Sequence, residues 1–354
     1  MSGTEQPRAT LLDVARRAGV SASTASLAFS GAGPVSPATR EKVLAAAGEL
    51  GYSGPDPRAR SLRQGRSGVV GVVFDERLLH AFRDPVNIAT LDGIATGLGV
   101  DSTGLLLLTE TGAVGAGIRS AAIDAAVLVG CSPVLESVAA ALRQRNIPTV
   151  SIEGGTLEGV VDVALDNVES AERLARHLHD LGHRRVGAVT LATDAERETA
   201  PVTPARERAI TTAVTRDRLA GGRRVFPDLV AHSAGYNQVD DGVRAARALL
   251  DVDPGDRPTA VMAQSDLLAV GVLQAADELG LRVPHDLSVT GFDGVRIDGL
   301  TAYDLTTMVQ PAAEKGRAAG DAVTRLLAGE VVSPMLFECV FHLGNTTAEP
   351  QRTA

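Results

Sequence analysis

From residue 69 onward the chain alternates short apolar runs with amphipathic stretches, and this alternation limits its fold more than any other feature. Val69–Phe74 (VVGVVF), Leu105–Leu108, Ala126–Val129 and Thr149–Ser151 read as strands, with NIATLDGIATGL and VLESVAAALRQRN between them. A second series follows. Strands are expected at Val186–Thr190, Leu229–Ala231, Ala260–Ala263 and Leu287–Gly291, and helices at Val168–Leu181, Thr203–Arg218, Asn237–Leu250 and Leu267–Leu279. Such alternation builds parallel sheets covered on both faces. Two runs of it predict two similar α/β subdomains with a cleft between them.

The first 66 residues follow a different period. LLDVARRAG places Leu12, Ala15 and Ala18 on one helical face, beside Val14, and Gly19 ends the helix. Ser21 is placed to cap a second helix whose Ala25, Ala28 and Phe29 face inward. Ser36 caps a third, with Pro37 in its first turn and Val43, Leu44, Ala47 and Leu50 as its apolar stripe. Only Gly19 and Val20 separate the first two helices, which is helix-turn-helix spacing.

The second helix, ASTASLAFS, carries small hydroxylated residues that suit neither a core nor helix propensity. A helix that enters the major groove needs short side chains near its N-terminus. Ser23 can donate to or accept from a base edge, and Ala22 can meet a thymine methyl. Thr24 and Ser26 serve either phosphates or helix packing. A three-helix protein-interaction module is the other reading of these residues.

Charge separates the same two parts. Residues 1–66 hold nine Lys or Arg against five Asp or Glu, and the rest holds 25 against 38. A basic module on an acidic body fits a polyanion binder attached to something else. PDPRARSLRQGR, between the last helix and the first strand, carries Arg58 and Arg60 around a lone Leu62. It is either a basic linker or a short helix whose leucine wedges into a minor groove while the arginines meet phosphates.

The polar residues at the carboxyl ends of the predicted strands are the candidates for the cleft, because ligands of α/β folds bind there. They are Asp75, Asp166, Arg206, Ser265 and Asp293, with Phe74, Phe82 and Tyr236 as platforms in a chain of seven Phe, three Tyr and no Trp. Asp166 is equally suited to cap the next helix, and Arg206 to a surface ion pair. Paired carboxylates and an arginine suit a polyhydroxylated ligand. No Gly-rich phosphate loop, G-x-S-x-G elbow or metal spacing accompanies them, so neither an enzyme nor a cofactor is expected. His177, His179 and His183 read as solvated helix-end residues. Two distant cysteines, Cys131 and Cys339, indicate no disulfide framework. Without an export signal or a run of ~20 apolar residues, the expected location is the cytoplasm and not a membrane.

DVARRAGVSASTAS, VSPATREKV, ELGY and PDPRARSLRQGR, in this order, closely resemble the LacI/GalR family of bacterial transcription regulators. The resemblance continues through VALDNVESAERLARHLHDLGHRRVGAV, AQSDLLAVGVLQAADELGLRVPHDLSVTGFDGV and LTTMVQP. It implies a helix-turn-helix headpiece (1–55), a hinge helix and linker (56–67) and a periplasmic-binding-protein-like body (68–345). The body's subdomains span about 68–165 plus a C-terminal crossover, and 166–300. Residues 346–354 are expected to be a disordered tail. Double-stranded operator DNA, a small-molecule effector and a second copy of the chain are the implied partners. Ser21, Ala22, Ser23, Thr24, Ser26 and Leu27 fall on the reading helix, and Leu62 on the hinge leucine that intercalates. By position Arg206 and Asp293 match effector-binding residues.

The chain also departs from the pattern. Leu27 stands where arginine is common, Gly54 is an extra residue, Ala209 replaces a glycine and Ser265 replaces an asparagine. About five extra residues, around RLLHAF, lie between Gly71 and Gly93. The dimer surface is expected on outer helices such as NIATLDGIATGL. No leucine heptad ends the chain, so no tetramer through a terminal coiled coil is expected. A solute-binding protein would share the body; the basic module and the missing export signal argue against it.

Overall fold

The computed structural model describes residues 9–30, 33–54, 66–99, 103–110, 116–297 and 299–351. The chain divides into two compact units, one ending at Gly68 and one beginning at Val69.

The first unit is three helices, α1 (Leu11–Ala18), α2 (Ala22–Ser30) and α3 (Pro37–Glu49). Thr10 and Asp13 close a reciprocal capping box at the start of α1, and Gly19 ends it with φ +68°. Val14, Ala15, Ala25, Ala28, Val43, Ala46 and Ala47 form the core, and Phe29 meets Tyr52 edge-on at 5.5 Å. Leu12, Leu44 and Leu50 are exposed instead. Alanines take the interior positions because these short helices pack close together, and the larger leucines turn outward.

The second unit has two lobes. In lobe 1, β1 (Val69–Phe74) leads through α4 (Leu78–Ala81) and α5 (Pro85–Gly97) to β2 (Gly104–Thr109). Next come α6 (Ala116–Ser120), β3 (Ala125–Val129), α7 (Val134–Gln144), β4 (Thr149–Ile152) and β5 (Val161–Leu165). Lobe 2 runs through α8 (Asn167–Asp180), β6 (Val186–Thr190), β7 (Ala200–Pro201), α9 (Pro204–Arg208), α10 (Ala213–Val225) and β8 (Val230–Ser233). It continues with α11 (Val239–Leu250), β9 (Ala260–Ala263), α12 (Asp266–Glu278), β10 (Ser288–Thr290) and β11 (Thr307–Val309). The chain then returns to lobe 1 for α13 (Ala312–Leu327) and β12 (Met335–Phe337), and ends beside lobe 2 after β13 (Val340–His342). Lobe 1 holds a six-stranded parallel sheet, β12-β5-β4-β3-β1-β2. Lobe 2 holds β10-β9-β6-β8-β7, parallel except for β7. Two of the three crossings lie side by side: the Asp166 amide donates to the Phe337 carbonyl, and the Asp166 carboxylate accepts from the Cys339 amide.

Three expectations need correction. The stretch Thr203–Arg218 is two helices, because Thr211 and Thr212 give their amides to the Thr193 carbonyl and Ile210 is buried. Residues 346–351 are not a loose tail: Thr346 is fully buried and donates to the Val289 carbonyl. His183 holds the same segment. It is buried and bonds Thr259, Ser288 and the Ala348 carbonyl, while His177 reaches Thr347. These two histidines are therefore packing residues rather than solvated helix ends.

The helix NIATLDGIATGL packs one face inward and keeps the other, with Ile88, Asp92, Ala95 and Thr96, exposed. Gly93 and Gly97 of α5 face Gly316 and Gly320 of α13, so close that a Cβ on Gly93 would lie 2.1 Å from the Ala313 carbonyl oxygen. Small residues four apart on both helices let the backbones touch. This contact seats α13, and with it Lys315, against the first sheet.

Candidate functional site

In α2 the Ser21 hydroxyl accepts from the Thr24 amide at 3.1 Å and pairs with the Ser23 and Thr24 hydroxyls at 2.8 Å. That hydrogen-bonded start leaves Ser23 exposed and Ala22 and Ser26 half-exposed, while Ala25 and Ala28 anchor the opposite side. Leu27 is 36% exposed and lies next to Gly33. One face of α2 thus presents short polar side chains, a shape that fits a major groove. The hinge residues Arg58, Arg60 and Leu62 lie outside the described residues.

A cavity of about 160 Å³ lies between the lobes, at the carboxyl ends of their strands. Phe74, Asp75, Ser265 and Asp293, all anticipated from the sequence, line it. Phe82, Asp166, Arg206 and Tyr236 do not. Phe82 is about half exposed, and Asp166 fastens the crossing. Arg206 turns to the Glu198 carbonyl (3.1 Å) and to Asp194 (3.9 Å). Tyr236 sits under Arg197 and against His80.

The chemistry of the cleft rests on residues that the strand-end rule missed. Arg218, on α10, is buried with its guanidinium 3.6 Å from the Phe292 ring centroid. It donates to Asn167 Oδ1 (2.8 Å) and to the Gln264 carbonyl (2.5 Å), and lies 3.5 Å from Asp293 and 3.9 Å from Glu153. Lys315 is equally buried and donates to Glu153 and Gln310, both at 2.5 Å. Gln310 passes its amide to Asp293 at 2.6 Å. The signal was present in the sequence: Lys315 and Arg218 each fall on the buried stripe of their helix, where a charge needs a partner.

Electrostatics divide the cleft in two. Burial alone would raise the Glu153 carboxyl, but Lys315 and Arg218 outweigh it and hold it at about 2. At the other end Asp75 and Glu76 lie beside Arg197, with Asp84 close to Glu76. Burial raises all three, and with Asp75 and Asp84 beside it Glu76 reaches about 8. Asp293 is raised by burial, with Arg218 opposing. Burial also pushes the Cys131 thiol up, beside Asp75. Glu153 (φ +57°) and Asp293 (φ +117°) both hold backbone conformations that side-chain-bearing residues rarely adopt. Such strain persists where the surroundings over-determine it.

A compact three-helix unit with a polar reading face, followed by a two-lobed body around a charged cleft, defines a ligand-responsive DNA-binding regulator. Residues 10–54 match the bacterial regulatory proteins of the lacI family, and residues 175–336 match a periplasmic binding protein-like domain. The chain is 33% identical to the HTH-type transcriptional regulator IpsA of Corynebacterium glutamicum, across 98% of this chain and 99% of that protein. It is 30% identical to the HTH-type transcriptional repressor CytR of Escherichia coli, across 98% of each. Among solved structures, a LacI-family regulator from Corynebacterium glutamicum superposes with TM-score 0.72 at 29% identity, covering 97% of this chain and all of that one. The lac repressor dimer bound to operator and the anti-inducer ONPF gives 0.73 at 25% identity, covering 96% and 99%. The chain belongs to the LacI family. It is a DNA-binding, effector-responsive transcriptional regulator and not an enzyme. No helix among the described residues is long and apolar enough to cross a membrane.

Proposed function

We propose that the chain is a cytoplasmic repressor that binds a pseudo-palindromic operator as a homodimer and is controlled by a small polar effector held in the interlobe cleft. The observation that carries this reading is the pairing of α2, with Ala22, Ser23 and Ser26 on its open face, with a cleft whose buried charges come from both lobes. One headpiece reads few base pairs, and two related by symmetry read a usable site. The edge strand β2 supports the dimer, since Leu105 and Leu106 are exposed there. Arg58, Arg60 and Leu62 are proposed to meet the centre of the site.

The lining also bears on the effector. Six carboxylates (Asp75, Glu76, Asp84, Glu153, Asp194, Asp293) face three cations (Arg197, Arg218, Lys315). The cations already serve Asp75, Glu153 and Asp293. Of the other three, Asp194 lies near Arg206, Asp84 accepts from Asn237 and Glu76 keeps its proton up to about pH 8, so no lining cation is left for an anionic ligand, and the reading favours a hydroxyl-rich molecule without negative charge, a sugar or derivative among them. The effector acts by binding one arrangement of the lobes better than another.

The test is selection from random DNA duplexes with full-length protein at about 0.15 M salt, where non-specific phosphate contacts are weakened. A two-fold symmetric motif supports the reading. Salt-sensitive bulk binding without enrichment would overturn it.

A further inference from the structure

We propose that the segment 76–84, which carries the extra residues ahead of α5, is an interlobe clasp that ties the two lobes together at one edge of the effector cleft and so limits entry to it, with His80 and Asp84 as its gating residues. It deepens the reading of the cleft as the effector site by assigning how that site is entered.

The segment is rooted in lobe 1. Ala81 is buried in the core around β1, and Leu78 packs on the same cluster. From that base two side chains reach lobe 2 by different chemistry. The His80 ring stands edge-on to the Tyr236 ring, with centroids 4.7 Å apart and planes at 76°. His80 Nδ1 is buried and has no hydrogen-bond partner among the described residues, so the ring contact is what holds it. Asp84 uses one carboxylate oxygen to cap α5 at the Val86 amide and gives the other to Asn237 Nδ2, both at 2.9 Å. Asn237 is itself fixed by the Ser265 hydroxyl, the cap of α12.

Lobe 2 answers from the same spot. Arg197 lies 5.5 Å from the centroid of the Tyr236 ring and donates across the gap to the Asp75 carbonyl at 2.9 Å. Three bridges therefore converge on residues 236–237 and 197. Asp84, Asn237 and Arg197 line the cavity, and the His80–Tyr236 ring pair stands next to them without lining it. These bridges span one edge of the cavity, so parting the lobes there requires breaking them.

Cys131 is half-buried in the cavity wall with its amide on Asp75, and Cys339 is buried in the lobe 2 core, so the two thiols separate local opening from general loosening. The experiment is alkylation of full-length, effector-free protein by N-ethylmaleimide, with each cysteine followed by peptide mass mapping. His80→Ala and Tyr236→Ala are each expected to speed modification of Cys131 about tenfold, the equivalent of one aromatic contact. The double variant is expected to match Tyr236→Ala, because the His80 contact is already lost in that variant. Tyr236→Phe keeps the ring and is expected to stay slow. Unchanged Cys131 rates, a Phe variant as fast as Ala, or an equal rise at Cys339 would each overturn the clasp. These rates need no effector. A cleft that is not the effector site would show separately, as a DNA response that ignores variants with altered Cys131 rates.

Discussion

Lys315 of α13 and Glu153 beyond β4 form a 2.5 Å ion pair that water barely reaches, and Arg218 of the opposite lobe lies 3.9 Å from the same carboxylate. The pair is the point where the lobe 1 sheet, the returning helix and lobe 2 meet. Its geometry depends on the close approach of α5 and α13, which no side chain larger than glycine would permit at Gly93 or Gly316. Packing at the glycines thus sets the electrostatics of the cleft.

Removing one partner of this pair strands a buried charge. Lys315→Met is expected to cost about 3–5 kcal/mol of stability in the body. Adding Glu153→Gln is expected to recover a large part of it, because the stranded charge is removed. Urea unfolding of both variants checks this, and equal losses in the two would contradict it.

The two ends of the cleft answer pH in opposite directions. Glu76 titrates at about 8 against an ordinary 4.5, so between those values the folded chain keeps a proton that the unfolded chain has lost. The stability this proton contributes is complete below about 4.5 and is lost as pH rises toward 8, at up to about 1.4 kcal/mol per pH unit. Glu76→Gln is expected to gain on the parent steadily from pH 5 to pH 8. Glu153, held at about 2, contributes stability above 4.5 that is lost as pH falls toward 2. Urea midpoints across this range report both, and a constant difference between Glu76→Gln and the parent would contradict the first.

Glycine substitutions are expected to divide by site. At Gly93 an added methyl would lie 2.1 Å from the Ala313 oxygen, so Gly93→Ala is expected to destabilise by at least about 1–3 kcal/mol. At Gly48, inside α3, a methyl meets nothing within 4 Å, so Gly48→Ala is expected to stabilise the headpiece by roughly 0.5–1 kcal/mol. Thermal melts followed separately for the two units check the signs.

The proposed dimer gives a further expectation. Leu105→Glu puts a charge on the exposed edge strand and is expected to halve the mass seen in sedimentation at low micromolar concentration. Operator affinity is expected to fall with it, by tenfold or more. An unchanged mass would move the dimer surface elsewhere.

Much of this fold was legible because period and punctuation are local. The strand at Val69–Phe74, the cap at Ser21 and the stop at Gly19 each follow from a few neighbouring residues. Half of the anticipated cleft set, Phe74, Asp75, Ser265 and Asp293, was found by the strand-end rule. What stayed hidden depends on contacts distant in sequence. Arg218 meets Glu153 and Asp293 across 65 to 75 positions, and no local pattern names those partners. Arg206, the arginine anticipated for the cleft, instead folds back on Asp194 and the Glu198 carbonyl. The contact of the α5 glycines with α13 stayed hidden because the partner glycines lie more than two hundred residues away.

The most direct test of the central claim, that α2 of two copies reads an operator, is a change of its specificity. Full-length protein and Leu27→Arg would be compared by selection from the same random duplex pool. Arginine at this partly exposed position is expected to add a guanine preference, worth about 1–3 kcal/mol, at one base pair in each half-site and at mirror-related positions. A motif that stays the same, or that changes in one half only, would contradict the account.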